Sequence, residues 1–114
     1  MLKRVTLLIP LTFNDGTTIP RATLAAIERE IYFAFKGWTL VGEVKGAYQM
    51  RQTGEKKVDR LLQVWVVVEE TAIPEIRQMV ARFAESLGQE SMYFEVSDSQ
   101  VELVPPNEAE VKDD

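Results

Sequence analysis

The sequence contains neither cysteine nor histidine among its 114 residues. Without thiols the chain forms no disulfide framework and no thiolate metal site. Without imidazole it lacks the commonest general base and the commonest transition-metal ligand, which leaves only oxygen atoms to bind a hard cation. It also lacks a glycine-rich phosphate loop and metal-ligand spacing. We therefore predict no cofactor and no metal, we assign no catalytic residue, and we leave open whether the chain is an enzyme.

Positive charge is also scarce. Thirteen lysines and arginines stand against eighteen acidic residues, which gives a net charge of −5. A negative chain is repelled by nucleic-acid phosphates and by anionic membrane surfaces, so neither is an expected partner. The N-terminal segment MLKRVTLLIPLTF has the basic and apolar parts of a signal peptide, but Pro10 interrupts it and no small-residue cleavage pattern follows. We expect a cytoplasmic protein.

The most apolar stretch of the chain is LLQVWVVV, residues 61–68. It is rich in β-branched residues, too short to span a membrane, and bounded by charged residues on both sides. These properties are typical of a strand that is covered on both faces. We predict that residues 58–70, which contain this stretch, form the central strand of a sheet.

The other elements follow from hydrophobic periodicity. Alternation from Val5 predicts a first strand that ends near Ile9, because Pro10 cannot donate to a ladder. Three-and-four spacing predicts a helix over Pro20–Lys36, with Gly37 supplying the left-handed residue after it. The same reasoning yields a strand near residues 47–50, beginning as early as residue 40, a second helix within residues 71–88 and a last strand over residues 91–96.

The predicted order is strand, helix, strand, strand, helix, strand. This order predicts an α+β, ferredoxin-like βαββαβ fold, in which both helices cover one face of a four-stranded antiparallel sheet. Right-handed crossovers would place the first and third strands side by side in the middle. Residues 1–104 would form a single domain, and residues 105–114 an acidic, disordered tail.

Such a fold leaves one sheet face, the open face, without helices. Alternation places five large side chains there, and exposing each one forfeits about 1.5–3 kcal/mol, so the open face requires a cover. We favour a second copy of the chain, which makes a homodimer. The alternatives are a cover formed by the loop over residues 38–46 or by the C-terminal segment. RNA-recognition domains share the element order, but their basic, aromatic consensus is absent. The predicted open-face residues are Leu8, Leu61, Trp65, Val67 and Tyr93.

Four polar residues near the predicted element ends are weak site candidates: Tyr48, Arg51, Gln89 and Glu90. Each has a plainer role, since a tyrosine can pack on the sheet and residues after a helix-ending glycine can simply satisfy chain ends. The function predicted from the sequence is a self-associating interaction or binding module that uses the open face. The alternative is a small enzyme with a ligand pocket near Trp65, Tyr48 and Arg51.

Several local patterns recur together in a known group. They are Asp15-Gly16 before a helix, Gly37-Trp38-Thr39 after it, Gly46-Ala47-Tyr48 opening a strand, and GQESMYFEV over residues 88–96. Together they resemble a group of small uncharacterised bacterial proteins with a Gly-Gln-Glu turn into the last strand. The resemblance implies a bacterial or phage-like source and a soluble single domain, and it implies no activity. It points to Gln89 and Glu90 as positions with a shared purpose.

Overall fold

The computed structural model describes residues 1–98 and 100–107. The strands form one antiparallel sheet in the order β2-β3-β1-β4, with both helices on one face. This arrangement confirms the predicted α+β, ferredoxin-like βαββαβ fold. The elements are β1 (Leu2–Pro10), α1 (Arg21–Phe35), β2 (Thr39–Gln49), β3 (Lys56–Glu69), a 3-10 turn (Glu70–Ala72), α2 (Ile73–Ser86) and β4 (Phe94–Ser97).

The core lies between the sheet and the two helices. Leu7 of β1 pairs with Val64 of β3, and because directly paired residues point to the same face, both side chains enter this core. The apolar stripes of the helices close over them. The buried side chains are Val5, Leu7, Ile9, Ile19, Ile27, Ile31, Val64, Val66, Val68, Ile76, Met79, Val80, Phe83 and Leu87. The apolar stretch identified in the sequence is therefore the central strand, as predicted.

Helix α1 ends differently from the sequence prediction. Lys36, not Gly37, adopts the left-handed conformation, with φ of 62°. Its backbone N–H donates to the Tyr32 carbonyl oxygen at 2.6 Å. Left-handed geometry brings Cβ close to the following carbonyl oxygen, so Lys36 bears strain that a glycine would avoid.

The β2–β3 hairpin projects beyond the rest of the sheet. The last pair between β1 and β3 joins Pro10 to Leu61, whereas β2 and β3 remain paired as far as Gln49 and Lys56. The two-stranded part, residues 45–49 with residues 56–60, is here called the ribbon. Because residues 39–46 belong to β2, the predicted alternative in which a loop over residues 38–46 covers the open face is wrong.

The C-terminal part of the chain is only partly described. The last strand begins at Phe94, three residues later than predicted. Residues 105–107 are exposed and have no regular secondary structure, while residues 108–114, the rest of the predicted disordered tail, lie outside the described residues. Within residues 1–98 and 100–107, no helix is both long enough and apolar enough to cross a membrane.

Candidate functional site

A concave site lies on the open face where β1 ends and the ribbon begins. Three strands and the segment after α2 surround a cavity of about 350 Å³, here called the ribbon cavity. The strand register places Gly46, Tyr48, Asp59 and Leu61 on the same face of the sheet. Gly46 pairs with Asp59, and positions i and i+2 of a strand share a face. The lining residues are Leu8, Pro10, Gly46, Ala47, Tyr48, Asp59, Leu61, Gln89, Ser91, Met92 and Tyr93.

The unusual group in this cavity is Asp59. It is only 5% exposed, and Thr6 is the other buried polar residue in the described part of the chain. No lysine or arginine lines the cavity. A buried carboxylate without a cationic partner is costly, so its presence among apolar walls is a feature that packing alone does not explain.

Tyr48, which lies diagonally across the ribbon from Asp59, interacts with its carboxylate. Burial raises the pKa of the Tyr48 phenol above its ordinary value, and the charge and hydrogen bonding of Asp59 raise it further. The charge of Glu90 acts in the same direction. The phenol therefore stays protonated and can donate a hydrogen bond to the carboxylate.

The turn after α2 supplies the opposite wall. Gly88 takes φ of 65°, and its N–H and that of Gln89 satisfy the Glu85 and Ala84 carbonyl oxygens, which ends the helix. This turn directs the half-buried Gln89 into the cavity, where its amide also donates to the Leu87 carbonyl oxygen at 3.3 Å. Tyr48, Gln89 and Glu90 therefore lie near one another, although they come from opposite halves of the sequence.

The predicted pocket shared by Trp65, Tyr48 and Arg51 is wrong. Tyr48 pairs with Lys57, eight residues before Trp65 on the same strand, which places the two aromatic positions about 26 Å apart. Arg51 is exposed in the turn at the tip of the hairpin and lines neither the ribbon cavity nor the cavity beside Trp65. The length of β3, Lys56–Glu69, separates the three residues.

The open face is therefore divided into two regions. Leu8, Leu61 and Tyr93 line the ribbon cavity, and Tyr93 is 50% exposed. Trp65 and Val67 line a second cavity of about 370 Å³ at the other end, where the Arg4 guanidinium lies 4.9 Å from the Trp65 ring centroid.

The C-terminal segment is only a partial cover for the second region. Leu103 lines the cavity that contains Trp65 and Val67. Its own side chain nevertheless remains 78% exposed. The predicted alternative in which the C-terminal segment covers the open face therefore applies at most to this end, and the ribbon cavity has no such cover among the described residues.

In the sequence, Asp59 and Arg60 are two further polar residues near a predicted strand end, and their plainer role is that of cross-strand charges. The structure separates them, because Arg60 points to the other face and binds the Glu43 carboxylate at 2.7 and 2.9 Å. One signal was available in the sequence. Asp59 stands two residues before Leu61, so alternation already placed an acid on an apolar face.

A larger cavity of about 520 Å³ lies on the other side of residues 89–92, against α2 and Phe94. Its ionisable side chains, Arg77, Glu85 and Glu90, are all exposed, so it lacks the desolvated group that marks the ribbon cavity. Among the residues that the structure describes, no cluster of three or more acidic side chains is arranged to hold a metal ion.

Comparison with known proteins bears on the fold. No family model and no curated protein matches the chain. Among solved structures, a phage SAM lyase in complex with S-methyl-5'-thioadenosine is similar, with a TM-score of 0.66 and 13% identity over 84% of this chain and 80% of that one. The divalent cation tolerance protein Cut A1 from Thermus thermophilus is similar with a TM-score of 0.61 and 13% identity, over 98% of this chain and 93% of that one. At this level of identity the likeness shows a shared fold.

Proposed function

We propose that this chain is a small binding module that takes an organic cation into the ribbon cavity. The observation that carries the proposal is Asp59, a carboxylate that is only 5% exposed and faces apolar walls without a basic neighbour in the lining. A ligand with a positive group would supply the missing partner, and its apolar part would lie against Leu8, Leu61 and Met92.

The rest of the cavity also favours a cation. Two tyrosine rings, from Tyr48 and Tyr93, stand at its rim, and aromatic faces attract cationic groups. The negative charge of Glu90 also acts on Tyr48 at this rim. An anionic ligand would face these carboxylates without a compensating lysine or arginine. The volume of about 350 Å³ falls within the range of small-molecule sites.

The structural neighbours suggest a specific compound to test. One of them is a SAM lyase bound to S-methyl-5'-thioadenosine. SAM carries a positively charged sulfonium, and S-methyl-5'-thioadenosine is its uncharged thioether counterpart. The two compounds share the adenosine and its sulfur, and they differ in the sulfonium charge that Asp59 is proposed to recognise and in the amino-acid group that only SAM carries.

The test is isothermal titration of both compounds into the wild-type protein and the Asp59→Asn variant. A charged hydrogen bond contributes about 1.5–3 kcal/mol, so the substitution should weaken SAM binding roughly ten- to hundredfold. Binding of S-methyl-5'-thioadenosine should change much less, because this compound carries no positive charge for Asp59 to bind. Glu75→Gln is the control, since it removes an equal charge from an exposed position in the first turn of α2.

Two results would contradict the proposal. One is that the wild-type protein binds neither compound. The other is that Asp59→Asn weakens the charged and the uncharged compound equally, which would indicate a change in cavity shape and not recognition of charge.

The small-enzyme alternative keeps the same site, with Asp59 and Tyr48 as its polar groups in place of the pocket predicted from the sequence. It requires turnover, so chromatography of SAM incubated with the protein separates the two alternatives. Binding without a product supports a binding module, and a product that disappears in Asp59→Asn supports an enzyme.

Self-association is the second candidate function, in a bacterial cytoplasmic setting. The observation that favours it is the exposure of apolar side chains on the open face, where Tyr93 is 50% and Tyr48 40% exposed. A second copy that docks on the open face would cover Tyr93 and Tyr48 together. This homodimer is the arrangement expected from the sequence.

A further inference from the structure

We propose that Asn14 is a positioning residue that holds the two walls of the ribbon cavity at a fixed separation. The importance of that separation for ligand binding rests on the proposed function. The link between the two walls, here called the clamp, rests on hydrogen bonds. Asn14 belongs to the Asn-Asp-Gly turn after β1, and none of these three residues lines the ribbon cavity.

Asn14 makes one hydrogen bond to each wall. Its side-chain amide donates to the carbonyl oxygen of Gly88 at 2.9 Å, directly before Gln89 in the wall that follows α2. Its backbone carbonyl oxygen accepts from Lys57 Nζ at 2.7 Å. Lys57 pairs with Tyr48 across the ribbon and lies two residues before Asp59. A single residue therefore joins the Gln89 wall to the Tyr48–Asp59 wall.

The turn that carries Asn14 is itself well fixed. The Asp15 carboxylate accepts hydrogen bonds from the Thr17 hydroxyl at 2.6 Å and from the Thr17 N–H at 2.9 Å. These bonds to Thr17 lower the pKa of Asp15. Backbone bonds from Phe13 N–H to the Thr17 carbonyl oxygen and from Gly16 N–H to the Phe13 carbonyl oxygen close the turn. Asn14 is thus presented on a rigid support.

Both walls of the ribbon cavity need such an anchor. Residues 87–93 have no helix or strand geometry, since α2 ends at Ser86 and β4 begins at Phe94. The ribbon is a two-stranded element beyond the end of β1, and such ribbons are weak when unsupported. Losing the Asn14 bond should leave the hydrophobic core intact, because Asn14 is exposed, and should act on the cavity walls.

The experiment compares the wild-type protein with Asn14→Ala and Lys57→Met, each of which removes one of the two bonds. Gln52→Ala, in the exposed turn at the hairpin tip, is the control. Amide hydrogen exchange of the ligand-free protein is measured over residues 87–93 and over the ribbon. Asn14→Ala should speed exchange about tenfold in residues 87–93 and leave β1 and α1 unchanged.

Two further measurements separate positioning from a general loss of structure. The Tyr48 pKa, followed by NMR of 13C-labelled tyrosine, should fall in Asn14→Ala, because the Glu90 charge moves away with the loosened wall. The affinity for SAM should fall about tenfold at an unchanged melting temperature. Gln52→Ala should alter none of these quantities.

Unchanged exchange over residues 87–93 in Asn14→Ala would overturn the clamp. So would faster exchange accompanied by an unchanged Tyr48 pKa and an unchanged SAM affinity. If the wild-type protein does not bind SAM at all, the proposed function fails, while the exchange rates and the Tyr48 titration still decide whether Asn14 fixes the cavity walls.

Discussion

Asp59 and Tyr48 form a coupled pair whose chemistry depends on tertiary structure. Taken alone, each residue is ordinary: Asp59 is a charged residue on a strand, and Tyr48 is a half-exposed aromatic residue. Placed together at the end of β1, with the charge of Glu90 nearby, they make a desolvated acidic site. The physical consequence is that the phenol holds its proton more tightly than an ordinary tyrosine does.

This coupling predicts a pH response at Tyr48. Its pKa lies above the ordinary value of 10.0 in the folded protein, so the folded state retains the proton after the unfolded chain has lost it. Stability from this group is therefore complete below about pH 10 and is lost as pH rises through the folded pKa. Asp59→Asn should lower the Tyr48 pKa, because it removes a negative charge. NMR titration of 13C-labelled tyrosine measures both values.

Two observations would contradict this account of the pair. One is a Tyr48 pKa that is the same in the wild-type protein and in Asp59→Asn. The other is a decline of stability above pH 10 that is identical in Tyr48→Phe, which lacks the phenol. Tyr48→Phe keeps the ring, so it isolates the titrating group from its packing.

At the scale of elements, the end of α1 shows how a helix can stop on a strained residue. Lys36 has φ of 62° and is followed by Gly37, where the sequence pattern had placed the left-handed residue. Left-handed geometry costs a residue with a Cβ about 1–2 kcal/mol, whereas glycine adopts it freely but loses more entropy on folding. The local strain is offset by the packing of the helix on the core.

Lys36→Gly should therefore stabilise the protein. The expected gain in the free energy of unfolding is up to about 1 kcal/mol, the strain relieved minus the extra entropy that glycine loses. Urea denaturation of the wild-type protein and the variant measures it. Lys36→Ala is the matched control, because it removes the long side chain but keeps the Cβ. A loss of stability in Lys36→Gly, or an equal gain in Lys36→Ala, would show that strain at this position is not the cause.

The elements themselves were largely predictable because their signals are local. The period-two pattern at Val5, Leu7 and Ile9 and the apolar residues 61–68 defined two strands and their buried faces, since alternation is fixed by backbone geometry. The start of β3 at Lys56 lies two residues before the predicted stretch 58–70, but the use of the ribbon as one wall of a cavity was not predictable, because it depends on contacts with a distant part of the chain. The proximity of Gln89 and Tyr48 depends on how distant parts of the chain pack together, which no local sequence pattern indicates. The resemblance to small bacterial proteins with a Gly-Gln-Glu turn stays a prediction.

At the scale of the whole molecule, the open face is the face of the sheet that the fold leaves without a helical layer. Its apolar residues are half-buried within the chain, with Tyr93 the most exposed of those predicted from the sequence. The hairpin extends this surface past β1, so a partner that contacts the ribbon would also reach the rim of the cavity. Association and ligand binding are therefore expected to influence each other.

The homodimer hypothesis predicts a mass in solution of twice the 13.0 kDa monomer. Light scattering during gel filtration at micromolar concentration measures this mass. Tyr93→Lys should return the protein to monomer, because it places a charge in the middle of the proposed contact. Tyr32→Lys is a close control: Tyr32 is 51% exposed, against 50% for Tyr93, but it lies on α1, on the other side of the sheet. A monomeric wild-type protein, or dissociation by Tyr32→Lys and not by Tyr93→Lys, would contradict association through the open face.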